Sequence, residues 1–125
     1  MYKKVFTLLL LLLPFQLLIA QKSLLKNFPE GYTPDEIGRR ISYRFVTEKH
    51  ALHAGKWIGY PETFYWNGSL KYAAAAKDKA LIKLLQARFE HLFTTEKALL
   101  PIKNHVDLNM FGSLPLELYW VTKDE

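Results

Sequence analysis

The chain has 125 residues, half of them apolar, with 17 Lys and Arg against 12 Asp and Glu and no cysteine. The absence of thiols excludes disulfides and thiolate metal sites. Its net charge of +5 falls to +3 once Lys3 and Lys4 are set aside, and the remaining bases are scattered rather than clustered, so nucleic acid is not an expected partner.

The first element in chain order is a leader. Lys3 and Lys4 precede an apolar stretch from Val5 to Ile19 that only Thr7, Pro14 and Gln16 interrupt, and it closes on Leu18-Ile19-Ala20. A positive start, a short apolar core and a small residue at its end predict a signal peptide over residues 1–20, cut before Gln21. The rival reading is a retained anchor, but the core falls short of the roughly 20 apolar residues that cross a bilayer. The expectation is therefore export to a periplasmic or secreted location, with no stable membrane insertion after cleavage. Residues 21–32 carry Pro29 and Gly31 and read as a surface lead-in, and residues 21–125 read as one domain or part of one.

Four helices follow. The first opens at Thr33-Pro34-Asp35-Glu36, with a capping threonine, a proline at the first helical position and a glutamate three residues after the cap. Ile37, Ile41 and Phe45 recur every four residues and predict its buried stripe. A loop with Gly55 and Gly59 leads to Tyr60-Pro61, where the second helix starts, to run to about Ala76. Lys77-Asp78 is a tight turn with Asp78 as cap of the third helix. In that helix Leu81, Ile82, Leu85, Phe89 and Leu92 oppose Lys79, Lys83, Arg88 and Glu90, and Leu100-Pro101 breaks it. The fourth begins near Ser113-Leu114-Pro115 and reaches Thr122. The second and fourth are apolar nearly all round, which predicts enclosed helices, so the order reads outer, inner, outer, inner.

An internal repeat reinforces that order. Leu70 to Lys79 aligns with Leu116 to Glu125 at an offset of 46 residues, a plausible length for one helix pair in a stacked array. Lys77-Asp78 and Lys123-Asp124 then occupy equivalent turns, and a further helix is expected after the second, so the sequence reads as truncated. An inner helix without its neighbours leaves apolar surface uncovered, at about 25 cal/mol per Å², which predicts a marginal, aggregation-prone or dimeric chain.

Two segments before the inner helices could carry chemistry: Tyr60 to Gly68 and Asn104 to Gly112. Both combine aromatic rings, suited to sugar faces, with carboxylates and amides, suited to hydroxyls. The free N–H groups of helix starts favour an anionic group. An acidic sugar is the ligand class these features suit, with His105 beside Asp107 the best titratable pair. The same residues also have plain structural readings, with Phe64, Tyr65, Trp66 and Phe111 as core and Asp107 as a cap. His50 and His53 read as surface histidines with no carboxylate to complete a metal site. Asn67-Gly68-Ser69 matches a glycosylation sequon inside a predicted helix and carries no weight. Ser42, Ser69 and Ser113 lack the setting of a catalytic serine.

The residues Ile37-Gly38-Arg39-Arg40-Ile41, Tyr60-Pro61-Glu62, Tyr65 to Gly68, Asn104 to Asp107 with Phe111-Gly112, and Pro115 to Tyr119 resemble the N-terminal part of the unsaturated glycuronyl hydrolases, glycoside hydrolase families 88 and 105, and most closely their rhamnogalacturonyl members. The resemblance implies an (α/α)6 barrel, of which this chain would hold about four helices, with the cleft at the N-terminal ends of inner helices. It implies an oligosaccharide partner ending in a 4,5-unsaturated uronate, no cofactor and no metal. It also implies a hydration, in which a carboxyl group protonates C4, water adds at C5 and the hemiketal opens to release the sugar. On this resemblance Asp107 is the candidate catalytic residue, as a substrate-orienting aspartate, and Tyr65 lines the uronate subsite. Trp66, Asn67, His105 and Asn109 complete the candidate binding set. The family's principal acid/base aspartate matches no residue here, so the chain is expected to be inactive alone. Two other readings stand beside it: a non-catalytic helical glycan-binding or interaction protein, and a polysaccharide lyase on a similar toroid.

Overall fold

A computed structural model describes residues 26–50, 55–100 and 106–123, with Asp107 placed by its backbone alone. The leader, His53, Asn104 and His105 lie outside the described residues. Residues 26–33 fall in a unit separate from the helical one that begins at Pro34. They form an irregular stretch that turns at Pro29, whose carbonyl accepts from the Tyr32 amide at 3.0 Å, with Gly31 at φ 80°.

All regular structure among the described residues is helical. Helix α1 spans Pro34–Thr47, α2 Tyr60–Ala76 and α3 Lys79–His91. A 3-10 turn covers Lys97–Leu99. The one-turn helix α4 (Val106–Asn109) and a 3-10 turn (Met110–Gly112) run into α5, Ser113–Thr122. Helix α2 is central and packs against α1, α3 and α5.

Helix α1 forms where the sequence places it, with Pro34 first and Asp35 and Glu36 in the first turn complementing the helix dipole. Its buried line differs from the expected one. Ser42 and Phe45 are buried while Ile41 is exposed. Small residues decide the rotation: Gly38 and Ser42 allow a close approach that branched isoleucines would block, and the Tyr72 ring of α2 fills the space beside Gly38. A Cβ added at Gly38 would stand 2.5 and 2.7 Å from two Tyr72 ring carbons. That ring is tethered, because its hydroxyl donates to Asp35 Oδ1 at 3.0 Å. Gly38→Ala should therefore lower stability. The helix-propensity gain of about 1 kcal/mol is outweighed by an overpacking cost of about 1–3 kcal/mol. Thermal unfolding checks this, and a raised Tm would mean that the helices part without cost.

Helix α2 starts after Gly59, with Pro61 in its first turn and Thr63 Oγ1 donating back to the Gly59 carbonyl at 3.2 Å. Glu62, Thr63, Trp66, Ser69, Leu70 and Ala73 are its buried residues, which lie along one broad face. The expectation of helices enclosed on every side is not met. Phe64 and Ala74 to Ala76 are exposed on α2, as are Leu116, Tyr119 and Trp120 on α5. Among the described residues three helices pack against α2 and two against α5, which leaves part of each circumference open.

Lys77 ends α2 in the left-handed conformation at φ 56°, and the chain turns at once into α3. Asp78 caps α3 by accepting from the Leu81 amide at 3.0 Å, and Tyr43 of α1 donates to its other oxygen at 3.0 Å. The Leu81 N–H, foremost, holds the Asp78 carboxyl below its ordinary range. Helix α3 stops at His91, earlier than the proline at position 101 suggested. A run of turns replaces its last stretch: Thr94 Oγ1 returns to the Glu90 carbonyl at 3.2 Å and the Glu96 amide to the His91 carbonyl at 2.8 Å. Competition of a threonine side chain for helical carbonyls accounts for the early end. The 3-10 turn is tied to the start of α2 by the buried Ile58, whose amide donates to the Leu99 carbonyl at 2.9 Å.

The 46-residue repeat has a structural counterpart. Asn67 Nδ2 of α2 donates to Ser113 Oγ of α5 at 3.0 Å, and Lys71 Nζ lies 3.7 Å from Glu117 Oε1. Both pairs are separated by the same 46 residues, so the two helices run parallel and in register. They also end alike, because Lys123 repeats the left-handed cap of Lys77 at φ 62°.

Candidate functional site

Of the two segments expected as loops ahead of the inner helices, Tyr60 to Gly68 instead forms the first half of α2, and the register of the pair sets Ser113, the first residue of α5, beside Asn67, two turns into α2. The 3-10 turn Met110–Gly112 touches α2, and Phe111 stacks on Phe89 of α3 with centroids 5.9 Å apart. The individual candidates separate from one another within this region. Trp66 is fully buried and packs edge-on to Phe45 and Phe89 at 5.3 and 6.0 Å. It is core, and its ring is not offered to a ligand. Asn67 is half-buried and spends its amide on Ser113. Asn109 is exposed on α4, Asp107 lies on the same short helix by its backbone, and His105 is outside the described residues. Tyr65 is half-buried, with its hydroxyl donating to the Ile41 carbonyl at 3.2 Å.

Tyr65 stands in the wall of a half-open cleft of about 220 Å³ between α1, α2 and α3, lined also by Arg44, Phe45, Glu48, Lys49, Glu62 and Arg88. The volume lies below the ~300–1,000 Å³ of sites for drug-sized ligands, so it suits a single ring-sized group.

The floor of this cleft is a buried ionic cluster that the sequence reading missed. His50 was expected at the surface but is buried, and its Nδ1 is in close contact with Glu62 Oε1, with both side chains 3% exposed. On the other side of the ring, His50 Nε2 lies 3.3 Å from Glu96 Oε2. Arg88, expected on the solvated face of α3, turns inward. Its Nη1 donates to the Glu48 carbonyl at 2.8 Å, and its Nη2 lies 3.3 Å from His50 Nδ1 and 3.8 Å from Glu62 Oε1. The guanidinium carbon sits 4.6 Å above the Phe45 ring centre and 5.9 Å from that of Trp66, within cation–π range. Burial lowers the Arg88 pKa, opposed by the pull of Glu62 and Glu96.

The pattern held a signal for two of these residues. Leu81, Leu85, Arg88 and Leu92 follow one another at spacings of four, three and four, which puts Arg88 on the buried stripe. Glu62 likewise precedes Trp66 by four, on the line that continues through Leu70 and Ala73. For His50, in a loop, no periodicity applies.

Chemically the cleft is lined by Arg44, Lys49 and Arg88 together with the Phe45 and Tyr65 rings, with Arg88 over Phe45 and the carboxylates already engaged: Glu48 with Arg44 at 2.8 Å, and Glu62 with His50 and Arg88. It can hold an anionic or hydroxylated group. Among the described residues no set of three or more His, Cys, Asp or Glu could hold a metal ion, and no helix is long and apolar enough to cross a membrane. Comparison with protein-family models finds none that matches the chain, and comparisons with curated proteins and with solved structures likewise return no match.

Proposed function

We propose that the chain is an exported α-helical domain of the α/α-toroid kind that takes acidic oligosaccharides, a hydrolase fragment resembling the enzymes that remove a terminal 4,5-unsaturated uronate by hydration of the double bond, and inactive alone because their principal acid/base aspartate has no counterpart in it. The observation that carries this reading is the parallel, in-register pairing of α2 and α5 with identical left-handed lysine caps. Such a pair is what successive inner helices of a toroid present. The cationic cleft beside Tyr65 is compatible with a carboxylated sugar. In this reading Asp107 orients the substrate, with His105 beside it in sequence, and the leader over residues 1–20 directs the chain to the periplasm or the exterior.

One observation favours a second reading, a non-catalytic glycan-binding protein on the same scaffold. Both carboxylates in the cleft are paired with cations, and a paired carboxylate is a poor proton donor. A single assay separates the two. Oligosaccharides made by a pectin or rhamnogalacturonan lyase are mixed with the purified chain, and the ultraviolet absorbance of their double bond is followed while binding is measured by calorimetry. The hydrolase-fragment reading expects constant absorbance, with binding of the unsaturated ends but not of saturated counterparts, weakened by Asp107→Asn. Saturable binding of saturated and unsaturated ends alike supports the second reading, and the absence of binding overturns both.

A further inference from the structure

The repeat allows a like-for-like comparison of α2 and α5. Leu70 and Ala73 of α2 are fully buried beneath neighbouring helices. Their equivalents 46 residues on, Leu116 and Tyr119 of α5, are 64% and 45% exposed, and the adjoining Trp120 is 68% exposed. With Lys123 these residues form one stripe at spacings of three and four, and the Lys123 ammonium lies over the Trp120 and Tyr119 rings at 4.4 and 5.4 Å. The positions equivalent to Leu116 and Tyr119 are covered in the first repeat and, among the described residues, open in the second, while those equivalent to Trp120 and Lys123, Ala74 and Lys77, are exposed in both. A contiguous apolar stripe with a polar edge marks an interaction surface.

We propose that a second copy of this chain covers this face, with the two α5 helices packed antiparallel about a two-fold axis between Tyr119 and Trp120. The charge pattern of α5 selects this occupant. In that register Tyr119 meets Trp120 of the other copy, and Leu116 meets the aliphatic stem of Lys123 of the other copy. The Cα of that lysine then falls about 1.5 Å of helix rise from the level of Glu117, within reach of its long side chain. Glu117 is half-buried on the flank of the stripe and holds Lys71 only at 3.7 Å, so it is placed to accept from a second lysine. The two-fold axis makes each Glu117–Lys123 contact twice, as an isologous interface requires. A parallel pairing would instead set Lys123 against Lys123 and Trp120 against Trp120.

The test is the oligomeric state of the purified chain, by light scattering on a size-exclusion column and by sedimentation over a range of concentrations, with helix content checked by circular dichroism. A dimer is expected, and Trp120→Glu and Leu116→Lys, both at exposed positions, should give monomers of unchanged helicity. Glu117→Lys and Lys123→Glu should each weaken the dimer, and the two together should restore it. A chain that stays monomeric overturns the proposal; Trp120 shielded from a soluble quencher in that monomer would place a segment of the same chain on the face. A dimer indifferent to Trp120→Glu and Leu116→Lys also overturns it, as does one that the double charge reversal fails to restore.

Discussion

Arg88→Met will destabilise the helical unit by about 3–5 kcal/mol, the usual cost of removing one partner from a buried ionic group. The arginine joins the end of α1, the loop after it, the first turn of α2 and the last turn of α3, through Glu48, His50 and Glu62. Its own side chain is 11% exposed and that of Glu62 is 3% exposed, so water does not replace the lost partner. Methionine keeps much of the packing over Phe45 and isolates the electrostatic loss. Urea unfolding at fixed pH measures it as a lower midpoint at unchanged slope. Replacing His50, Glu62 and Arg88 together by apolar residues of similar volume should recover most of the loss, since a whole buried cluster exchanged for packing is near neutral. A cost for Arg88→Met below about 1 kcal/mol, the range of exposed pairs, would mean that the cluster is solvated and that the cleft has no rigid floor.

Trp66→Ala should cost a similar amount, about 3–5 kcal/mol, for a different reason. The ring is fully buried where α1, α2 and α3 meet, edge-on to Phe45 and Phe89, with the Arg88 guanidinium on one side and His50 with its centroid 6.1 Å away. Its removal leaves a cavity next to a charged cluster, and water drawn in would loosen the ionic contacts, so the loss should exceed that of a leucine truncation such as Leu85→Ala. Trp66→Phe should retain more than half of the stability. Paired unfolding and oligosaccharide-binding curves test the assignment. Loss of binding by Trp66→Ala at unchanged stability would make the ring a ligand platform and contradict its burial.

Both predictions concern residues whose importance was only partly legible in the sequence. Tyr65, singled out as the lining of a uronate subsite, stands in the wall of a cleft between α1, α2 and α3. Trp66, one residue on, is rotated by about 100° and belongs to the core. Composition cannot separate two adjacent aromatics; the periodicity through Leu70 and Ala73 can. Arg88 and Glu62 fall on buried stripes by the same counting, yet their charge argued for solvent, and only a partner from another helix makes such burial tolerable. His50 had no local signal at all. Its place depends on a partner in the first turn of α2, Glu62, twelve residues along the chain.

By itself the sequence determined the elements and their punctuation. Pro34 with Asp35 and Glu36 starts α1, Tyr60-Pro61 starts α2, Asp78 caps α3, and the recurrence of Lys-Asp at 46 residues anticipated two helices that end in the same way. These features are local, set by backbone dihedrals and hydrogen bonds within a turn or two, and therefore readable along one strand of text. The tertiary structure alone decided which face each helix buries. Ser42 rather than Ile41 is buried on α1, Gly38 leaves room for the Tyr72 ring, and α2 and α5 keep open faces because burial depends on how many neighbours a helix has. It also decided that a histidine, a glutamate and an arginine from three separate segments meet beneath one cleft. Burial and charge pairing are properties of neighbours in space, and a single sequence does not name those neighbours.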